Sequence, residues 1–260
     1  MDIEDVRSDL IEEQESLDHI VSNIETIQWD LDTASPGWSV SDQIAHLAYF
    51  DNAAALAISS PIDFQRSVEE LLETFSRGED AESTILSTYR LMNCDELLQA
   101  WREARFNLAD KSSDLSDGSR IVWYGPSMGS KSFLTARLME VWAHGQDILD
   151  ALGFQREETD RLQHIAQLGF ITRSWSYINR GLEPSTIPVK VILESPSGDT
   201  WKFGAENAEE SIHGLAKDFC LVTTQRRNLA DTSLIVNGNA ALEWVKIAQA
   251  FAGPATDGPV

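Results

Sequence analysis

The run Phe133-Leu134-Thr135-Ala136-Arg137-Leu138-Met139-Glu140-Val141-Trp142-Ala143-His144-Gly145-Gln146-Asp147-Ile148-Leu149 is where the reading of this chain begins. Leu134, Leu138, Val141, Trp142, Ile148 and Leu149 recur at helical spacing, and the pattern carries on to about Leu152. Arg137, Glu140, His144 and Asp147 are separated by 3, 4 and 3 residues, so they form one polar stripe on an otherwise apolar helix. Glu140 and His144, one turn apart, can point at the same cation. Carboxylate oxygen and imidazole nitrogen both suit Zn²⁺ and other first-row divalent ions. Asp147 could hydrogen-bond the second nitrogen of a ligating histidine, or meet substrate. The same Glu-x-x-x-His spacing is also common between solvent-facing neighbours, where it contributes only about 0.2–0.5 kcal/mol. Two ligands are moreover too few for a catalytic zinc site, which has three and an open position.

His46 is the candidate third ligand. It sits among Ile44, Ala45, Leu47 and Ala48, on a helix that opens after Pro36-Gly37-Trp38 with Ser39 as N-cap and Asp42 at the third helical position. A lone histidine in such a place is more often a hydrogen-bonded core residue. His19, in the acidic first helix, His164 and His213 are weaker candidates.

Outward from these helices, Val6, Leu10, Leu17, Val21, Ile24 and Ile27 mark a first amphipathic helix. The first 30 residues carry ten acids against one base, as a solvated helix face would. Leu97 to Leu108 is another amphipathic helix, and a further helical pattern runs from about Glu158 to Tyr177. Between them, Gly125 to Ser132 nearly spells a phosphate-binding loop. The glycine needed directly before the lysine is Ser130, however, and no βαβ alternation surrounds it; a loop at a site mouth is the expectation. After Gly181 the pattern changes. Val189, Val191 and Leu193 alternate as in a strand, Thr200 to Phe203 can return as its partner, Leu215 to Val222 is helical, Ser233 to Val236 strand-like, and Ala240 to Phe251 a closing helix. The expected layout is an all-α domain over residues 1–180 and a small α/β domain over 181–260, an α+β protein.

Composition excludes several partners. The 260 residues carry a net charge of -22, which disfavours nucleic acid and anionic membrane surfaces, both held through Lys and Arg. Cys94 and Cys220 lie far apart without CxxC partners, which suits a reducing cytoplasm. The acidic start lacks the apolar core of a secretory signal, and no run approaches the ~18 apolar residues of a membrane span. A soluble cytoplasmic monomer or homodimer acting on a small molecule is expected.

Two segments resemble a known family. Trp38-Ser39-Val40-Ser41-Asp42-Gln43-Ile44-Ala45-His46-Leu47, followed by Asp51, is similar to the W-x-V-x-D-x-x-x-H-L helix of the DinB-like, mycothiol-dependent maleylpyruvate isomerase superfamily. Arg137 to Asp147 resembles that superfamily's R-x-x-E-x-W-x-H-x-x-D helix, in the expected order and about 95 residues later. The resemblance implies a DinB-like four-helix bundle holding one divalent metal on His46, Glu140 and His144, zinc first, with nickel or iron as alternatives. It also implies a C-terminal α/β domain similar to sterol carrier protein 2. There, Asp218 to Arg227 resembles an L-L-x-x-G-R segment whose arginine faces the metal site; Gln225 replaces the glycine, which leaves Arg226 and Arg227 both as candidates. Within the superfamily the similarity is greatest to an actinobacterial branch labelled only as metal-binding, through Trp123 to Pro126, Trp142 to Asp147 and Ala248 to Gly253.

The function this resemblance implies is that of a metal-dependent isomerase or transferase. In the isomerases a mycothiol sulfur adds to the substrate double bond, allows rotation, and leaves. Arg226 or Arg227 would clamp a substrate carboxylate or oxyanion, and Asp147 completes the candidate catalytic set. Two alternatives stand beside it: a thiol-independent metal enzyme tailoring an acyl or polyketide-like substrate as an isomerase, cyclase or lyase, and a non-catalytic binder of an apolar ligand. No residue is assigned to a thiol cofactor.

Overall fold

The computed structural model describes residues 2–78, 81–125 and 127–256. The chain divides into two compact units, Met1–Gln155 and Arg156–Val260. The first contains α1 (Ile3–Val21), α2 (Val40–Ser59), α3 (Pro61–Ser76), α4 (Ala81–Leu86), α5 (Cys94–Ser112), the short strands β1 (Arg120–Ile121) and β2 (Met128–Gly129), and α6 (Ser130–Leu152).

The long helices α1, α2, α5 and α6 make a four-helix bundle, in which α2 packs on α5 and α6, and α1 on α5 and α6. Leu10, Leu17, Ile44, Leu47, Trp101, Leu108, Leu134 and Leu138 fill its interior, and each such side chain contributes roughly 1.5–3 kcal/mol by leaving water. The expected start of α2 is present: Ser39 Oγ accepts from the Asp42 N–H at 3.3 Å, and Asp42 Oδ2 accepts from the Ser39 N–H at 3.1 Å.

Two expectations about the first helix need correction. It ends at Val21, where the Asn23 amide caps the His19 carbonyl, so Ile24 is only half-buried and Ile27 is 69% exposed; Trp29 takes the core position instead. Nor are all its acids solvated. Glu13 is buried, and Asp18 is buried between Arg102 and Arg105 of α5.

The glycine-rich segment is a hairpin, with Arg120 opposite Gly129 and Ile121 opposite Met128. Its lysine, Lys131, pairs with Asp117 at 3.2 Å, so neither backbone nor side chain is arranged around a phosphate. Pro126 lies outside the described residues. The hairpin loop instead packs Trp123 against Phe64 and Phe133, with ring centroids 5.3 and 5.1 Å away.

The second unit comprises α7 (Leu162–Ile171), α8 (Arg173–Ile178), β3 (Val189–Glu194), β4 (Thr200–Phe203), β5 (Glu210–Leu215), α9 (Ala216–Thr223), β6 (Ile235–Asn237) and α10 (Asn239–Ile247). Its sheet runs β4-β3-β5-β6, antiparallel except for the parallel pair β3 and β5. Val189, Val191, Leu193, Ile212, Phe219 and Trp244 form its core. The change of pattern at Gly181 marks the first long strand rather than the boundary between units. The helices before it pack onto elements after it, α7 on α9 and β4 and α8 on α10, so the division falls at 155/156. The single helical stretch expected over 158–177 is broken at Thr172, whose hydroxyl bonds the Leu168 carbonyl at 2.8 Å. Among the described residues no helix is long and apolar enough to cross a membrane.

Candidate metal centre

His46 on α2 and Glu140 and His144 on α6 meet inside the first unit, with their ligand atoms all within 4.8 Å of one another. Glu140 Oε2 lies 3.4 Å from His46 Nε2 and 3.1 Å from His144 Nε2. Ligands in a tetrahedral shell with bonds of about 2.1 Å stand about 3.4 Å apart, so this spacing suits a first-row divalent ion. Helical pitch explains the α6 half, since residues four apart share a face. The α2 half arises because Ile44, Leu47 and Ala48 bury one side of the helix and carry His46 towards α6.

The hydrogen bonds around His144 fix its tautomer. Thr33 Oγ1 donates to the Trp38 carbonyl at 3.0 Å, which leaves its lone pair to accept from Gln43 Nε2 at 2.8 Å. Gln43 therefore turns Oε1 towards His144 Nδ1, 2.5 Å away, and that nitrogen must carry the proton. His144 Nε2 is then the ring nitrogen that faces the Glu140 carboxylate, 3.1 Å away. A cation placed between that nitrogen and the carboxylate would be held by both. The donor set thus fits a divalent metal, and the orienting contact on the far nitrogen is of the kind that ligating histidines use.

The electrostatics of His46 and Glu140 follow from burial and from their neighbours. Burial, followed by the nearby His144, pushes the His46 pKa down to about 3, so it is neutral and able to ligate. Burial works against ionisation of Glu140, yet hydrogen bonds from His144 and then His46, and the Arg137 charge, hold its pKa well below the usual carboxylate range. Aromatic rings wall the cluster: Trp38 stacks on His144 at 5.9 Å, and Phe50 lies 4.5 Å from His46.

Asp147 is buried and accepts from Ser35 Oγ at 3.5 Å; the far nitrogen of His144 is taken by Gln43 instead. Arg226 and Arg227 belong to the second unit, just after α9, where Arg226 Nη1 donates to the Thr224 carbonyl at 2.8 Å and Arg227 Nη1 to the Arg226 carbonyl at 2.7 Å. Gln225, standing where the resembling segment has glycine, adopts the left-handed φ of 59° that glycine would favour. Its amide bonds the Ala248 and Thr256 carbonyls at 3.1 Å, which holds that conformation. Gln43 has no role in the sequence-based expectation. The available signal is its position three residues before His46, on the same helix face.

A four-helix bundle with a histidine–carboxylate cluster between two of its helices is the class of protein that fold and site define. The chain belongs to the mycothiol maleylpyruvate isomerase N-terminal domain family, which matches residues 10–149. Uncharacterised proteins from two strains of Mycobacterium tuberculosis are 39% identical over 247 residues, covering 95% of this chain and 95% of theirs. The crystal structure of the mycothiol-dependent maleylpyruvate isomerase shares the fold, with a TM-score of 0.58 at 18% identity, over 91% of this chain and 93% of that one. A histidine-to-alanine variant of that enzyme superposes with a TM-score of 0.56.

Proposed function

We propose that this protein is a divalent-metal-dependent enzyme that carries out a thiol-assisted isomerisation, or a thiol transfer, on a small carbonyl or carboxylate substrate, with mycothiol as the thiol. The observation that carries the proposal is the His46–Glu140–His144 cluster, whose ligand atoms converge within 4.8 Å. A divalent ion there, zinc first, would supply Lewis-acid chemistry, lowering the pKa of a thiol or polarising a carbonyl. The chain's own contribution is to hold two neutral imidazoles and one carboxylate in register, through Gln43, and to keep them against Trp38 and Phe50, where charge interactions are strong.

The chain's cysteines do not suit the nucleophile. Cys220 is fully buried and burial, with Glu158, raises its thiol pKa well above the ordinary value; burial and Asp30 raise that of Cys94. A reacting thiol is therefore imported, and the family's description points to mycothiol. Both cysteines being free suits a cytoplasmic enzyme. In this reading Asp147 joins the cluster in the catalytic set, and the second unit is a small domain similar to sterol carrier protein 2.

The test is turnover of an unsaturated oxo-acid such as maleylpyruvate by zinc-loaded protein, with and without mycothiol. Activity that needs both metal and thiol, and falls at least a thousandfold in His46→Ala, is the expected result. Activity without thiol would move the protein to the thiol-independent metal enzymes. Turnover unchanged in a metal-free sample would end the proposal.

A further inference from the structure

Arg137 carries a guanidinium that the bundle buries and leaves short of partners. The residue is 5% exposed, with Phe50 and Trp123 rings 5.6 and 5.4 Å from its guanidinium carbon. The carboxylate beside it, Glu140 Oε1, stands 3.8 Å from Nη2, beyond hydrogen-bond reach. Nη1 is enclosed, and no group among the described residues accepts a hydrogen bond from it. A buried charged donor with no acceptor is a costly arrangement, retained where something fills it.

Two roles would place an arginine here. As a counter-charge for Glu140 it should close onto the carboxylate in the bidentate fork that arginine favours. Both Glu140 and Asp51 feel the Arg137 charge, yet the gap of 3.8 Å to Glu140, the unpartnered Asp51 Oδ1 and the bare Nη1 show that neither carboxylate forms that fork. As a donor held ready for an anion it should keep a free N–H beside the centre, with flat walls that fix its plane, and Phe50 and Trp123 provide them.

We propose that Arg137 Nη1 is an oxyanion subsite beside the metal position, receiving the carboxylate of a small substrate. The proposal rests on the metal-dependent reading above for the identity of the neighbouring cation. It also gives the hairpin loop a purpose, since Trp123, which flanks the guanidinium, comes from that segment.

The experiment is calorimetric titration of succinate, with neutral succinamide as control, at fixed ionic strength. Zinc-loaded and metal-free wild type, Arg137→Gln and Arg137→Lys are compared, with zinc content and circular dichroism recorded for each. Wild type should bind succinate and not succinamide. Arg137→Gln should lose at least tenfold in affinity while keeping its zinc, and Arg137→Lys, which keeps the charge but not the fork, should lie between. Equal succinate binding in either folded variant overturns the proposal, as does no binding by wild type. Loss of zinc from Arg137→Gln overturns it too, because the residue then serves to hold Glu140. Should the protein take up no metal while Arg137 still governs succinate binding, the subsite stands and the metal reading falls.

Discussion

Glu140 Oε2 faces two imidazole nitrogens at 3.1 and 3.4 Å, the spacing on which the proposed metal site rests. Gln43 prepares one of those nitrogens by fixing the proton on the other side of the His144 ring. Gln43→Leu should therefore keep the fold and weaken metal binding about 10–100-fold, the usual range for losing such an orienting partner. Competition against a chromophoric chelator measures it, and unchanged affinity would remove Gln43 from the account. Asp51 offers a second test at the same scale. It accepts from Gln14 Nε2 at 2.9 Å and Trp101 Nε1 at 3.2 Å, while its Oδ1 is buried with no partner. Burial raises its pKa from 3.8 to about 6. Protonated Asp51 thus favours the folded state, and that advantage is lost as pH rises from about 4 to about 6, on the order of 3 kcal/mol in all at 1.36 kcal/mol per unit. Asp51→Asn should raise the urea midpoint at pH 7 and leave it unchanged near pH 3.5; no gain at pH 7 contradicts this.

At the scale of elements, α2 and α6 supply the cluster and α1 and α5 hold them in register. Asp18, joined to Arg102 Nη2 at 2.6 Å and to Arg105, ties α1 to α5. Burial works against its ionisation, but Arg102 and then Arg105 outweigh it and lower its pKa. Its contribution is present above about pH 4 and disappears as pH falls through the lowered value. Asp18→Ala should cost roughly 1–3 kcal/mol at pH 7, towards the low end because Arg102 is partly exposed. Thermal melts at pH 7 and pH 3 check both the size and the sign. These elements also show where sequence is informative. Arg137, Glu140, His144 and Asp147 are readable as a stripe because a helix imposes their spacing locally. The Ser39 cap, the β3–β4 hairpin and the pairing of His46 with α6 are legible for the same reason or through the family resemblance. Gln43's bond to His144 spans 101 residues, and nothing local encodes it. Strand β5, Glu210–Leu215, escapes a sequence reading because His213 and Gly214 interrupt its apolar alternation. Helix α1 ends early through side-chain capping of the His19 carbonyl, which periodicity does not register.

For the whole molecule, the charge of -22 sorts into different populations. Most acids coat the outside and serve solubility, whereas Asp18 and Asp51 are bundle joints and Glu140 is the anionic member of the site. Every residue of the metal cluster lies within Met1–Gln155, so metal binding should stabilise this unit by linkage, about 2.7 kcal/mol at a hundredfold excess over Kd. The central claim is that His46, Glu140 and His144 hold one divalent ion. Elemental analysis of protein dialysed against limiting zinc, with His46→Ala and Glu140→Gln treated alongside, tests it most directly. One ion per wild-type chain and almost none in either variant is the predicted result. A wild type without stoichiometric metal after exposure to zinc, nickel and iron, or variants that retain it, would contradict the account.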